Sequence, residues 1–261
     1  MRSLLGFMLS LAINIILFTP AFADLTENRE LNLVADDIRM FEIDCGAGNL
    51  YIRGVEGLTN IEVEAEIIIE GINESRARDF MDKYLRLDLI EKQGKAVLTS
   101  YFDNSMPTTL FSFGRQSALI NLVIKIPQNM GLKIDDGSGD SRIENIFGDV
   151  DFDDGSGDLE IEFINGNVNI DDGSGELVVS NIDGRVIIDD GSGEIRIKDV
   201  TGDVDIDDGS GDIVVRKVGG SVAVDDGSGD INIRHVSRDV DIIDDGSGDV
   251  SISYVDGRVR R

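Results

Sequence analysis

Paired aspartates are the side chains in this sequence with the clearest capacity for chemistry. The string Asp-Asp-Gly-Ser-Gly, followed by Asp or Glu, begins at residues 135, 153, 171, 189, 207, 225 and 244. Carboxylates at a fixed spacing are suitable cation ligands, and calcium fits best because it accepts about six to eight oxygens in a flexible geometry. The candidate metal ligands are the second aspartates of the seven pairs, namely Asp136, Asp154, Asp172, Asp190, Asp208, Asp226 and Asp245.

Two interpretations of this aspartate ladder remain open at the level of sequence. If the copies stack as neighbouring strands, each aspartate lies about 4.8 Å from the next. Unit charges at that distance repel by about 0.9 kcal/mol in water and about 3.5 kcal/mol at an effective dielectric constant of about 20. In the first interpretation, the aspartates accept hydrogen bonds from turn N–H groups and face water. In the second, calcium, or magnesium as the alternative, lies between adjacent turns and neutralises them.

The sequence does not support catalysis by the other candidate groups. Each repeat carries a serine in its Gly-Ser-Gly turn, but His235 is the only histidine, and a single histidine cannot serve seven copies as a general base. Carboxylate pairs are so abundant that they single out no glycosidase-like site. An enzyme acting on polysaccharide, the remaining catalytic alternative, would need a cluster of unrepeated polar residues. Only the loop predicted over 103–114 could provide one.

The elements that position these residues follow from the repeat. The interval between copies is 18 residues five times and then 19. With the first Asp as position 0, apolar residues recur at positions 6, 8, 11, 15 and 17, as in Leu159, Ile161, Ile164, Val168 and Ile170. The alternation and the β-branched side chains predict two short strands per copy, with glycine turns at positions 2, 4 and usually 13.

One copy is therefore one coil of a parallel β-solenoid, and the chain is predicted to be all-β with seven stacked coils over residues 131–261. Because every coil places its apolar set at the same positions, the five columns of apolar side chains should form one continuous core. The extra residue of the sixth copy, Ile243, predicts a β-bulge. The charged C-terminal residues, Arg258 to Arg261, should blunt the exposed edge of the last coil.

The region 24–130 is predicted to cap the solenoid and is less regular. Residues 44–52 fit the repeat as a degenerate coil, in which Cys45 takes the place of the second Asp. The amphipathic pattern over 74–85 predicts one short helix. Strands over 61–69 and 119–126 and a hairpin turning at Gln93-Gly94 complete this region. Cys45 is the only cysteine, so an intramolecular disulfide is excluded; it is either a small buried residue or a thiol that joins two chains.

A basic patch also arises from the repeat. Positions 9 and 10 of successive coils carry Lys198, Arg216, Lys217, Arg234 and His235. The patch is either a solvated surface or a docking stripe for an acidic glycan or protein. The sequence alone leaves both readings open.

The N-terminus predicts export. Residues 1–23 have an apolar stretch over 4–18 and end in Ala21-Phe22-Ala23, which is typical of a cleaved signal peptide and is too short to span a membrane. Asp24 follows the cleavage point, where a lipoprotein would have cysteine. The formal net charge of −27 excludes nucleic acid as a partner. The mature chain is thus expected in the periplasm, on the cell surface or in the medium.

The repeat motifs give the chain a family resemblance. Gly-Ser-Gly-Asp turns alternate with Val-x-Gly-Asp-Val half repeats, and these follow a strand that ends in Lys125-Ile126-Pro127. The chain resembles the bacterial adhesin-like β-strand-repeat family of unknown function. The resemblance implies a β-solenoid in the cell envelope, without established catalytic residues. The chain departs from such repeats where Asp, instead of the common Thr, precedes Gly-Ser-Gly. Together, these features predict a non-enzymatic structural or binding protein, whose partner would be a cell-surface glycan or an envelope protein, with calcium binding as an alternative role.

Overall fold

A computed structural model describes residues 25–103 and 117–261 of the chain. The described residues form two sheets of eleven strands each and one helix. The N-terminal elements are β1 (Leu25–Val34), β2 (Met40–Ala47), β3 (Leu50–Val55), β4 (Asn60–Glu70), α1 (Glu74–Tyr84), β5 (Leu85–Lys92), β6 (Lys95–Phe102) and β7 (Ser117–Pro127). The repeats supply β8 (Gly131–Ser138), β9 (Ser141–Ile146), β10 (Val150–Asp154), β11 (Leu159–Ile164), β12 (Val168–Asp172), β13 (Leu177–Ile182), β14 (Val186–Asp190), β15 (Ile195–Val200), β16 (Val204–Asp208), β17 (Ile213–Val218), β18 (Val222–Asp226), β19 (Ile231–Val236), β20 (Val240–Asp244), β21 (Val250–Val255) and β22 (Val259–Arg260).

Each coil of the repeats contributes one strand to each of the two sheets. The first sheet has the order β1-β4-β7-β3-β9-β11-β13-β15-β17-β19-β21, and the second has the order β22-β20-β18-β16-β14-β12-β10-β8-β2-β6-β5. Within the repeats, every pairing is parallel and joins residues one period apart, such as Ile197 with Val179 and Val215. The predicted parallel solenoid with two strands per coil is thereby confirmed.

The core lies between the two sheets and consists of the predicted apolar columns. Ile197, at position 8, and Val204, at position 15, are both almost fully buried, as are the equivalent residues of the neighbouring coils. Only the last coil is less well covered, because Val250, Ile252 and Val255 are half-buried at the end of the stack. The predicted inward register is therefore confirmed for positions 6, 8, 11, 15 and 17.

The Gly-Ser-Gly turns bring the backbones of adjacent coils close together. Gly157 has a φ of +145°, and a Cβ atom placed on it would lie 2.0 Å from the carbonyl oxygen of Gly139 in the preceding coil. The Gly157 N–H in turn donates to the carbonyl oxygen of Ser174 in the following coil, at 3.0 Å. A side chain at this position would separate the coils, which explains why glycine recurs there.

The irregular features also agree with expectation. Between β18 and β20, Val224 pairs with Ile242 but Asp225 pairs with Asp244, so Ile243 is the bulged residue. In the N-terminal region, β2 and β3 pair in parallel with β8 and β9, which confirms the degenerate coil. Helix α1 buries Ala77, Phe80, Met81 and Tyr84, and β5 and β6 form the predicted hairpin.

Other predictions from the sequence are not tested by the described residues. The signal peptide predicted over 1–23 and nearly all of the loop predicted over 103–114 lie outside the described residues. The division into a capping region over 24–130 and a solenoid over 131–261 stays a prediction, since the parallel stacking runs continuously from β2 into the repeats. Within the described ranges, no helix is long and apolar enough to cross a membrane.

Candidate functional site

The predicted metal ligands do form a column, but it lies inside the solenoid. Asp154, Asp172, Asp190, Asp208 and Asp226 each end a strand of the second sheet and pair in register with their copies, as Asp172 does with Asp154 and Asp190. Six of the seven are at most 3% exposed, namely Asp136, Asp154, Asp172, Asp190, Asp208 and Asp226. We call these six residues the inner aspartate column. The expectation that these side chains face water is wrong.

The reason for this orientation is the pleat of the strand. Positions 15 and 17 point inward, and the alternation continues to position 1 of the following copy, as in Val168, Ile170 and Asp172. The first aspartate of each pair, at position 0, points outward instead. Asp135, Asp153, Asp171, Asp189 and Asp207 are accordingly exposed.

Five of the six inner carboxylates, all but that of Asp136, have a hydrogen-bond partner on one oxygen only. In Asp154, Asp172, Asp190, Asp208 and Asp226, Oδ1 accepts a hydrogen bond from the turn serine N–H two residues later, at 2.9–3.0 Å. The predicted bond to a turn N–H is therefore confirmed. The Oδ2 atom of the same five side chains is buried and, among the described residues, has no hydrogen-bond partner.

The two ends of the column differ from its middle. At the N-terminal end, Ser141 Oγ donates to Asp136 Oδ2 at 2.7 Å, and Cys45 Sγ donates to Asp136 Oδ1 at 3.5 Å. In later coils the place of Ser141 is taken by an apolar residue such as Leu159, which leaves Oδ2 unpartnered. At the other end, Asp245 is half-buried and forms an ion pair with Arg261.

Burial shifts the titration of these groups. It raises the pKa of Asp154 to about 7, although the Ser156 N–H bond opposes the shift. It also raises the pKa of Asp172 and Asp208 to about 6, again against the serine N–H bond. The pKa values of Asp190 and Asp226 are raised for the same reason. A buried carboxylate without a counter-ion favours its neutral form, so Asp154, Asp172 and Asp208 take up protons at about pH 6 to 7.

Cys45 belongs to the same column. It occupies the place of the second aspartate in the degenerate coil, pairs in register with Asp136 and Ser100, and is buried. Burial, with the nearby charge of Asp136, raises the pKa of the thiol far above its usual range. This burial confirms the interpretation of Cys45 as a small buried residue. A buried neutral thiol is also a poor nucleophile.

The acidic residues outside the core have a different role. At position 5, the side chain of one coil accepts a hydrogen bond from the backbone N–H of its copy in the next coil, as Asp158 Oδ1 does from Glu176 at 3.0 Å and Asp212 Oδ1 from Asp230 at 3.0 Å. These bonds run along the axis of the stack. The position 5 acids therefore stabilise the turn edge.

Among residues 25–103 and 117–261, neither the turn serines nor His235 forms a catalytic arrangement. The turn serines lie in repeated Gly-Ser-Gly turns and donate backbone N–H groups to the inner aspartate column. His235 is exposed and stacks on the ring of Tyr254, with centroids 4.7 Å apart. In the part of the chain that the structure describes, no three His, Cys, Asp or Glu side chains are placed to hold a metal ion. Calcium binding by the ladder stays a prediction.

Sequence reasoning missed one further feature. The residue at position 10 has a positive φ, close to +60°, in every coil, and it lies between two inward residues, at positions 8 and 11. The members of this row are Asn145, Phe163, Asn181, Asp199, Lys217, His235 and Tyr254. The three-residue spacing between the inward positions was the available signal, because it forces two consecutive residues outward and bends the strand.

A stack of parallel coils with in-register columns of identical side chains defines the class of protein as a β-solenoid. The chain belongs to the Toastrack DUF4097 family, whose model matches residues 59–260. No curated protein matches the chain.

Among solved structures, one similar chain is a proposed adhesin from Bacteroides fragilis, at 17% identity and a TM-score of 0.49, with 90% of this chain and 96% of that chain covered. Another is a proposed lipid-binding protein from Parabacteroides distasonis, at 12% identity and a TM-score of 0.45, with 90% and 97% covered. A third is a proposed adhesin from Parabacteroides merdae, at 13% identity and a TM-score of 0.26, with 90% and 97% covered. At these identities and TM-scores, the descriptions apply to those proteins and are not transferred to this chain.

Proposed function

We propose that this chain is an exported, non-enzymatic, adhesin-like protein with a structural or binding role at the cell envelope. The observation that carries the proposal is the in-register stacking of the coils, which displays outward side chains in straight columns about 4.8 Å apart. A rigid surface of this kind suits contact with an extended partner. Repetition also argues against catalysis, which needs a unique arrangement of groups.

Export and binding can be tested together in the native cells. We expect the protein to be recovered outside the cytoplasm, with Asp24 as its N-terminal residue, and the purified mature chain to bind isolated cell envelopes. N-terminal sequencing of the fractionated protein and a sedimentation assay with envelopes provide the two readouts. A matched mixture with heat-denatured protein controls for non-specific adsorption.

The alternative of an enzyme acting on polysaccharide is decided by the same samples. Release of reducing ends from the envelope glycans by the purified chain would establish hydrolysis and contradict a binding role alone. Recovery of an unprocessed chain in the cytoplasm would contradict export.

We also retain the proposal that calcium binds the aspartate ladder, with Asp136, Asp154, Asp172, Asp190, Asp208, Asp226 and Asp245 as ligands. The supporting observation is the set of five buried Oδ2 atoms without a partner among the described residues. Calcium seeks about six to eight oxygens, whereas each of these five side chains has one oxygen without a partner. Protons are the competing means of neutralisation.

Calcium titration at two pH values separates these two means of neutralisation. At pH 8, where the carboxyl groups ionise, bound calcium should stabilise the folded protein and raise its melting temperature. The expected stabilisation is about 2.7 kcal/mol per site when the free calcium concentration is 100 times Kd. At pH 5, protons occupy the same oxygens and the calcium effect should vanish. The comparison is millimolar calcium against chelator in the same moderate salt, so that ionic screening is matched. Equal melting temperatures at pH 8 would eliminate the calcium ladder.

A further inference from the structure

The strongest unexplained surface is the basic patch of the fourth to sixth coils. Lys198, Arg216 and Arg234 are paired in register on neighbouring strands of the first sheet, so their backbones are spaced by about 4.8 Å. All three side chains are exposed. Lys217 and His235 lie beside them at position 10. A cluster of cations is unexpected in a chain with a net charge of −27.

Part of this charge remains available to a ligand. Lys198 and Lys217 share one carboxylate, that of Asp199, at 3.3 and 3.1 Å. The Arg234 Nε atom donates to the neutral Asn232 side chain at 3.0 Å. Arg216 has no acidic partner among the described residues, so two arginines stand next to each other without neutralisation. Arginine presents a planar set of donors that matches a carboxylate or sulfate group.

The column of cations leads to an exposed aromatic platform. Tyr254 is 72% exposed and stacks on His235 with an angle of 11° between the ring planes. Both residues, like Lys217, have a positive φ, a conformation that costs free energy for residues other than glycine, asparagine and aspartate. Tyr254 is therefore an exposed aromatic surface at the end of the column of cations.

A shallow groove lies along the same face. It has a volume of about 470 Å³ and is lined by Val178, Val214, Arg196, Lys198 and Arg216, among others. Its walls combine apolar and cationic groups with the carboxylate of Glu194, which forms an ion pair with Arg196. An extended molecule with apolar ring faces and regularly spaced acidic groups fits this combination, which describes a chain of acidic sugars.

The acidic face of the solenoid does not prevent such binding. The outward aspartates at position 0 lie on the second sheet, on the opposite side of a core about 10 Å thick. The Debye length at physiological ionic strength is about 8 Å, so ions in the surrounding solution screen the two faces from each other along the path around the solenoid.

We infer that the basic patch and the His235–Tyr254 stack bind a linear acidic glycan, with Arg216 and Arg234 holding its carboxylate groups and Tyr254 covering a sugar ring. This inference rests on the proposed binding role at the cell envelope and names its ligand class. The glycan lies along the axis of the solenoid, because the three in-register cations define that direction.

Isothermal titration calorimetry of the mature chain with oligomannuronate tests the assignment, and a neutral cello-oligosaccharide of the same length serves as the comparison. We expect binding of the acidic ligand alone. The double variant Arg216→Gln/Arg234→Gln should weaken it at least about tenfold, as expected for loss of charged hydrogen bonds. Tyr254→Asn, which suits the positive φ, should also weaken it. The control Arg142→Gln/Arg185→Gln removes two ion-paired arginines elsewhere, one half-buried and one exposed, and should leave affinity unchanged.

Several results would overturn the inference. These are equal affinity for the neutral sugar, an unchanged affinity in the Arg216/Arg234 variant, or binding to phosphatidylglycerol vesicles without binding to oligomannuronate. Melting curves of each variant show whether it is folded. If the Arg216/Arg234 variant sediments with envelopes as the parent does, the glycan site is wrong while the proposed binding role stands. If the parent itself fails to sediment, the proposed role is the part that fails.

Discussion

The melting temperature of this protein should be at least about 10 °C higher at pH 5 than at pH 8. The inner aspartates have pKa values of about 7 for Asp154 and about 6 for Asp172 and Asp208, above the ordinary value of 3.8 in the unfolded chain. A raised folded-state pKa means that the folded protein binds the proton more tightly. Stability is therefore complete below about pH 4 and is lost as the pH rises through 6 and 7.

The magnitude follows from the shifts. One unit of pKa corresponds to about 1.36 kcal/mol. Between pH 5 and pH 8 only the part of each raised pKa above 5 counts, so the folded state loses about 2.7 kcal/mol through Asp154 and about 1.4 kcal/mol through each of Asp172 and Asp208. For a domain of this size, 1 kcal/mol changes the melting temperature by about 2–4 °C. Several aspartates acting together should exceed the threshold given above. Thermal melts followed by circular dichroism across this pH range provide the measurement.

Surface repulsion in so acidic a chain would also relax at low pH, and a matched pair of variants separates the two causes. Replacing Asp154, Asp172, Asp190 and Asp208 with Asn removes four buried carboxylates and should flatten the pH dependence. Replacing their exposed neighbours, Asp153, Asp171, Asp189 and Asp207, with Asn removes the same charge from outside and should preserve most of it. If the exposed set flattens the curve and the buried set does not, the buried column is not responsible.

A carboxylate in the apolar columns should unfold the array. Ile197→Asp or Val204→Asp places a charge between aliphatic residues of the coils on either side, without a turn N–H of the kind that binds the inner aspartates. The expected loss exceeds about 4 kcal/mol, because an unpaired buried charge adds to the lost apolar contacts. Urea denaturation of each variant measures it.

Arg196→Ser is the control for these core variants. Arg196 is next in sequence to Ile197 but points outward, where it pairs with Glu176 and Glu194. Exposed ion pairs contribute about 0–1 kcal/mol, so this change should be nearly silent. A core variant that melts like the parent would show that positions 8 and 15 are not inside.

The repeat alone determined most of the architecture. Identical apolar positions every 18 residues can be buried together only if the coils stack in register, and the glycines of the turns permit the close approach of adjacent backbones. The degenerate coil at Cys45, the bulge at Ile243 and helix α1 followed from the same patterns, because each depends on local sequence more than on distant contacts.

The tertiary structure alone decided how the aspartates behave. Alternation along a strand such as Val168–Asp172 could have placed the second aspartate inside, but an aspartate before glycine is equally typical of an exposed turn. Its burial depends on the coils closing around it and on a serine N–H lying 3.0 Å from Oδ1, as in Asp172. The tertiary structure also decided how the basic patch is arranged. The repeat places its cations at positions 9 and 10. Their exposure, their ion pairs and the His235–Tyr254 stack arise from contacts between coils. Such contacts are set by the distance between neighbouring strands and by the space around each side chain, which no single repeat encodes.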